Sequence, residues 1–314
     1  MSQSNGAISK EEEALYDRQI RLWGMEAQNR LRNCSILFVG VKAVTLEACK
    51  NLVLGGIGKL AIYDPQPISR LDLETQYYFN EGNVGQPKDK VMAEKLGVLN
   101  PLVDIRAASS LDDIEGIDLV VTIGRQERSV GEWRQRGVKS ILADAFGLFG
   151  YIFVDCLDAH EYIEEGRVND AKTGESKVVC TSKVATYKSF EESVKAKVPA
   201  GNAQRLARKY SPLAFVCQAL ATMDEEAGQA SGEPAVGQFI KDALKERELP
   251  LGFVGDELVE RVQASWNTEF VPSAAVVGGT LAQEVLKVIT LKDMPANNWF
   301  TYDGLVSEGI TCTL

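Results

Sequence analysis

The sequence predicts an α/β domain: a doubly wound, mostly parallel sheet interrupted by a mainly helical insertion. Three observations carry that expectation. Short apolar runs bounded by turn residues alternate with helical patterns through the first half of the chain, as successive β-α-β units require. One run, Leu119–Ile123, is apolar at all but Thr122, the pattern of a strand buried on both faces of a parallel sheet. After about residue 160 the chain turns polar and then rich in Ala, Lys and Glu, and α/β character returns only at Val271.

In chain order, Ser9 with Glu12 forms a capping box and predicts a helix from Lys10 to about Leu22. Gly24 interrupts it, and Met25–Arg32 continues in helical pattern. Ile36–Val39 is the first strand. Ala43–Leu54 carries Val44, Ala48 and Leu52 on one helical face and is stopped by Gly55-Gly56. Leu60–Tyr63 is the second strand, followed by a loop-rich stretch over 65–87 and a helix over Asp89–Leu99 that ends before Pro101. Val103–Ala107, Leu119–Ile123, Ile141–Ala143 and Phe149–Cys156 read as further strands, with a helix near Ser129–Arg136. His160–Val179 is polar and reads as a solvated face or loop, 189–262 as helical, and Ala227–Pro234 as a loop within it. A helix over Val277–Ile289 and two short strands, Trp299–Tyr302 and Gly309–Thr313, close the chain. The expected division is 10–160, an insertion over 161–264, and 265–314.

With 314 residues, 45% hydrophobic and 25% charged, the chain is long enough for one large domain with an insertion. Its net charge of −10 argues against a nucleic-acid partner, which calls for a basic patch. No apolar run approaches the roughly 18 residues of a membrane span, and the polar N-terminus is unlike a secretory leader. The six cysteines form no Cys-x-x-Cys pair, which fits a reducing compartment and neither a disulfide framework nor a metal site. His160 is the only histidine, so a histidine-based triad would rest on it alone, and no nucleophile turn lies nearby.

The turn after the first strand reads Gly40-Val41-Lys42-Ala43-Val44-Thr45, and Asp64 ends the second strand. A dinucleotide turn needs Gly-x-Gly-x-x-Gly, with an acid following the second strand. Gly40 and Asp64 meet that pattern, whereas Lys42 and Thr45 occupy the other two glycine positions. A side chain at the middle position obstructs the approach of backbone to phosphate. The expectation is a Rossmann-like sheet that has given up its nucleotide.

Three segments carry a resemblance: Tyr16-Asp17-Arg18-Gln19-Ile20-Arg21-Leu22-Trp23-Gly24; Val84-Gly85-Gln86-Pro87-Lys88 with Leu99-Asn100-Pro101; and Ala274–Glu284 with Tyr302-Asp303-Gly304. Together they resemble the adenylation fold of ubiquitin-like-protein activating enzymes, shared with bacterial molybdopterin and thiamine sulfur-carrier adenylyltransferases. The chain is most similar to the small non-catalytic halves of such enzymes, those of the SUMO type. Active members use a glycine-rich loop, an Asn-Leu-Asn-Arg-Gln segment, a lysine after Val-Gly and an aspartate in an Asp-Asn pair. Here the second segment is Asp72-Leu73-Glu74-Thr75-Gln76, so Thr75 replaces the arginine and Glu74 an asparagine. Lys88 is kept, and the Asp-Asn position falls on Gly124-Arg125, without its metal-facing carboxylate.

The resemblance therefore implies that ATP and magnesium are bound by a homologous catalytic partner subunit and not by this chain. It implies SUMO as the protein served, a conjugating enzyme as a further candidate partner, and a nuclear, also cytoplasmic, location. It gives Arg18 a role in trans, reaching ATP in the partner's pocket; by itself the residue reads as a surface arginine in a weak ion pair. A large apolar dimer interface is expected on the Val276–Leu286 helix and the N-terminal helices. Asp64 and Lys88 become structural remnants, Cys180-Thr181 a buried or inert cysteine, and Trp133, Trp266 and Trp299 core residues. A self-sufficient adenylyltransferase or dehydrogenase with an unusual loop, the equivalent subunit for another ubiquitin-like protein, and a scaffold without chemical contribution remain open alternatives.

Overall fold

The computed structural model describes residues 10–112, 115–124, 127–169, 176–198, 202–207, 209–223 and 233–314. Ser9, Arg125 and the stretch 227–232, all used in the expectations above, lie outside them.

The N-terminal region forms three helices, α1 (Lys10–Leu15), α2 (Asp17–Trp23) and α3 (Met25–Asn33). The one helix expected over Lys10–Leu22 is broken at Tyr16, whose φ −102° and ψ 14° take it off the helical path. There follow β1 (Ser35–Val39), α4 (Ala43–Gly55), β2 (Lys59–Tyr63), a short α5 (Asp72–Thr75), α6 (Lys88–Gly97), β3 (Asp104–Ala107), β4 (Leu119–Ile123), α7 (Glu127–Gln135), β5 (Lys139–Phe146) and β6 (Phe149–Asp155). The rest is β7 (His160–Asn169), β8 (Ser176–Ala185), α8 (Phe190–Val194), α9 (Ala203–Ala207), α10 (Pro212–Ala221), α11 (Glu233–Glu246), α12 (Asp256–Ser265), α13 (Val271–Thr290), β9 (Trp299–Asp303) and β10 (Glu308–Cys312).

Eight strands make one sheet in the order β10-β9-β6-β5-β4-β1-β2-β3. β3, β2, β1, β4 and β5 run parallel; β6, β9 and β10 add on antiparallel. The chain winds outward from β1 in one direction and from β4 in the other. The crevice between the ends of these two strands is the place where such sheets bind ligands. Alternate residues of β1 face opposite layers. Ile36 and Phe38 pack with α4, α6 and α13, whereas Leu37 and Val39 pack with Trp133 of α7.

The helices of the 161–264 segment join the second layer. α10 buries all but its first residue and packs, with Phe190, Val236 and Val262, against Phe149, Tyr151, Phe153 and Trp299 of the sheet. Each such fully buried large side chain stabilises the fold by roughly 1.5–3 kcal/mol relative to exposure.

Three further expectations need correction. β5 extends well beyond Ile141–Ala143, because it forms a hairpin with β6 across Gly147-Leu148, Ser140 pairing with Asp155 at its far end. α13 begins at Val271, with Pro272 in its first turn where a missing N–H costs nothing. The polar stretch His160–Val179 is no solvated loop where it is described: it enters a long hairpin, β7 with β8, His160 opposite Ala185 and Asn169 opposite Ser176. Residues 179–184 of β8 are exposed on both faces, so the apolar alternation that marks a half-buried strand is missing.

Candidate functional site

At the end of β1 the chain turns at Gly40, whose φ is +91°; a Cβ there would lie 2.7 Å from the Ile123 carbonyl oxygen. Only glycine lets this turn run so close to β4. The Val41 N–H donates to Asp64 Oδ2 at 2.8 Å. Thr45 closes the turn beneath: its hydroxyl accepts from the Lys42 N–H at 3.0 Å and donates to the Gly40 carbonyl at 3.0 Å. Thr45 thus replaces a close-packing glycine with a capping hydroxyl.

The start of α4 has a partner the sequence did not disclose. The Ala43 N–H donates to Glu269 Oε2 at 2.8 Å, and the Thr75 hydroxyl donates to the same oxygen at 3.2 Å. A helix N-terminus carries orphan N–H groups and the positive end of the helix dipole, the combination that receives phosphate in nucleotide sites. Here a carboxylate of the chain itself occupies it. Lys42 extends from the position of the middle glycine and pairs with Asp144 at 3.3 Å; the Asp144 side chain is 1% exposed. Burial pushes the Glu269 carboxyl above its ordinary range, opposed by the Ala43 N–H and the Lys42 charge. The only hint in the sequence was Lys42, which in a buried turn demands an anion without saying which.

These groups line a cleft of about 790 Å³ whose walls include Tyr63, Leu71, Leu111, Phe146 and Trp266. Asp64, Asp72, Glu74 and Glu269 set four carboxylates around it against the ammonium groups of Lys42 and Lys88. Lys88 pairs with Asp72 at 2.6 Å. Burial works against the Asp72 charge, but Lys88 and the Ser69 N–H and hydroxyl outweigh it and hold the carboxyl below its ordinary value. Burial raises Asp64, opposed by the Val41 N–H and Lys88.

The structure thus gathers Gly40, Lys42, Asp64, Thr75 and Lys88 around one cleft, with Thr45 under its turn. Gly124 ends β4 at φ +93° and donates its N–H to the Ala143 carbonyl. Arg18 is not among the cleft residues. It is exposed on α2, without an ion pair to another described residue. Cys180 is exposed on β8 opposite Glu165 and away from the cleft. His160 is buried, and burial with the nearby Lys139 charge lowers it to about 4. Trp133 and Trp299 are core residues, whereas Trp266 also walls the cleft. The Val276–Leu286 part of α13, expected at an interface, turns Val277, Leu281 and Val285 into the core. Gly278 lets it cross α4 closely, since a Cβ there would be 2.8 Å from the Val44 carbonyl. The exposed residues of α13 are Val271, Pro272, Ala275, Val276 and Gln283.

The chain, whose doubly wound sheet opens a cleft at the β1/β4 crevice, matches the ThiF family over residues 16–313. The chain belongs to that family. It is 30% identical to SUMO-activating enzyme subunit 1 of Bos taurus, the alignment covering 98% of this chain and 96% of that protein. It is similarly 30% identical to the same subunit of Rattus norvegicus, over 96% and 94% of the two chains. For that of Homo sapiens the identity is 29%, over 98% and 96%.

Proposed function

We infer that this chain is the non-catalytic subunit of a heterodimeric SUMO-activating enzyme. It pairs with a homologous catalytic subunit that holds ATP and magnesium, adenylates the C-terminal glycine of SUMO and passes it to its own cysteine. This chain supplies the dimer scaffold and Arg18.

The observation that carries the reading is the Glu269 carboxylate on the α4 N-terminus. A triphosphate would have to displace it, and would meet the carboxylates of Asp72 and Glu74 where active members carry amides, and Thr75 where they carry a guanidinium. Like charges at such separations repel strongly in a partly buried site. The residues present do not fit ATP, and no step is assigned to a nucleotide in this cleft. Support for pairing comes from exposed apolar side chains on adjoining elements: Leu22 and Met25 near the N-terminus, Leu54 on α4, and Val271 and Val276 on α13. Support for Arg18 is its exposure on the same flank without a described partner. A guanidinium supplied in trans neutralises charge on a transferring phosphoryl group.

The segment 161–264 stands where catalytic halves carry a cysteine domain, and contact of this segment with SUMO or with a conjugating enzyme belongs to the same reading. So does a nuclear and cytoplasmic location. Two measurements test it. Calorimetry of the isolated chain is expected to show no ATP binding, and micromolar affinity would favour a self-sufficient adenylyltransferase. In the reconstituted heterodimer, Arg18→Ala is expected to slow ATP–pyrophosphate exchange while leaving dimerisation intact; unchanged exchange would leave a pure scaffold. Co-purification from the native cell identifies the ubiquitin-like protein served.

A further inference from the structure

Arg18 sits on a helix that cannot place itself. α2 has seven residues and fully buries none of them; Trp23, its last residue, packs in part on the core. Burial of an apolar face is what ordinarily orients a short helix, which is marginal without such packing. The position of α2 must therefore come from its ends.

Both ends are tied to the same place. Tyr16 precedes the helix, is 5% exposed, and receives the first α2 bonds, from the Gln19 and Ile20 N–H groups. Its hydroxyl accepts from Asn100 Nδ2 at 2.8 Å, and the same nitrogen donates to the Val53 carbonyl at 2.8 Å. Its ring lies against Gly56, at φ +81°, where a Cβ would come within 2.5 Å of it. At the other end Trp23 Nε1 donates to Gln28 Oε1 at 2.9 Å, and Gln28 Nε2 donates to the Gly55 carbonyl at 3.1 Å. Val53 and Gly55 belong to the last turn of α4, where carbonyls run short of intrahelical partners; the Val53 carbonyl also accepts from the Gly56 N–H that caps the helix. Two buried amides, Asn100 and Gln28, donate to those carbonyls and hand the contact on to Tyr16 and Trp23. α2 hangs from the C-terminal turn of α4 by two polar relays, with Arg18 between them facing solvent.

We propose that Tyr16 with Asn100, and Trp23 with Gln28, are positioning pairs that aim Arg18 and act on adenylate formation only through it. The proposal rests on the in-trans reading of Arg18. A guanidinium misplaced by about 1 Å loses most of its effect on a reacting group.

Tyr16→Phe and Trp23→Phe remove one polar atom each and keep the rings. They are combined, and each is also made singly, in the heterodimer reconstituted with its catalytic partner, with Arg18 intact and on an Arg18→Ala background. With Arg18 intact, the double variant is expected to lower kcat for ATP–pyrophosphate exchange about tenfold, with KM for the ubiquitin-like protein and heterodimer affinity unchanged. On the Arg18→Ala background it should lower exchange no further. An equal loss on both backgrounds means a merely structural role and overturns the proposal, as does wild-type exchange with Arg18 intact. If Arg18→Ala itself has no effect, the in-trans reading fails and the positioning role with it. Thermal unfolding of each complex separates these outcomes from loss of fold; if the double variant unfolds, either single variant carries the same comparison.

Discussion

Glu269 can be removed in two ways that separate its charge from its capping. Glu269→Ala takes away the acceptor of the Ala43 N–H and of the Thr75 hydroxyl. Loss of the helix cap costs about 1 kcal/mol, and an abandoned buried donor adds about 1 kcal/mol or more, so the Ala variant should be less stable by about 2 kcal/mol at neutral pH. Glu269→Gln keeps a carbonyl-type acceptor and deletes the charge. Burial raises the Glu269 carboxyl above its ordinary 4.5 in the folded chain. A raised acid contributes most stability while protonated; that contribution is full below its unfolded value and is lost as pH rises through the folded one. The Gln variant, neutral throughout, should therefore equal or exceed the wild type at pH 8, with the advantage shrinking toward acid. Urea unfolding of the three proteins between pH 4 and 8 reads both effects as shifts in midpoint at constant slope. An Ala variant as stable as wild type would show that the carboxylate does not cap α4. A Gln variant weaker at pH 8, recovering in acid, would show that Lys42 outweighs burial.

Other consequences follow from single positions. Gly278→Ala forces a methyl to within 2.7–2.8 Å of Glu47 and the Val44 carbonyl, and should cost roughly 1–3 kcal/mol in calorimetric unfolding; an unchanged Tm would mean that α4 and α13 yield. His160 is held neutral, lowered from 6.5 to about 4, so its share of stability is present above 6.5 and is lost as pH falls toward 4. His160→Phe should flatten that part of the stability profile, and an identical acid limb would refute the assignment. Cys180→Ala should leave thioester formation by the heterodimer untouched, as expected for an exposed strand cysteine outside the cleft; loss of thioester with intact fold would make it a nucleophile.

The parallel half of the sheet was readable because its strands are buried on both sides. Ser35–Val39, Lys59–Tyr63 and Leu119–Ile123 all show as apolar runs between turn residues, within a residue or two of their true ends. Hairpin partners were less readable. The length of β5 is set by its pairing with β6, and the β7–β8 hairpin is buried only at its base, at His160, Tyr162 and Ala185, too short a stretch to impose a period on its exposed length. In the cleft, the departures at Lys42, Thr45 and Thr75 were visible as wrong residue types at known spacings. Glu269 was not, because it reaches Ala43 only through the tertiary fold. The Tyr16–Asn100 contact was half visible: both residues lie in segments that carried the resemblance, but nothing in their spacing said that they touch.

The outer strands of the sheet also set the order in which the molecule can be completed. Phe149 of β6 pairs with Asp303 of β9, and Phe153 with Trp299, so the inner hairpin waits for the last segment to be synthesised. Until then β6 presents unpaired backbone along an apolar strand, and Trp299 is missing from the layer it shares with Tyr151 and Phe190. Nascent chains expose such edges to wrong pairing. A chain truncated before Trp299 should therefore aggregate, although every residue of the cleft is already in place.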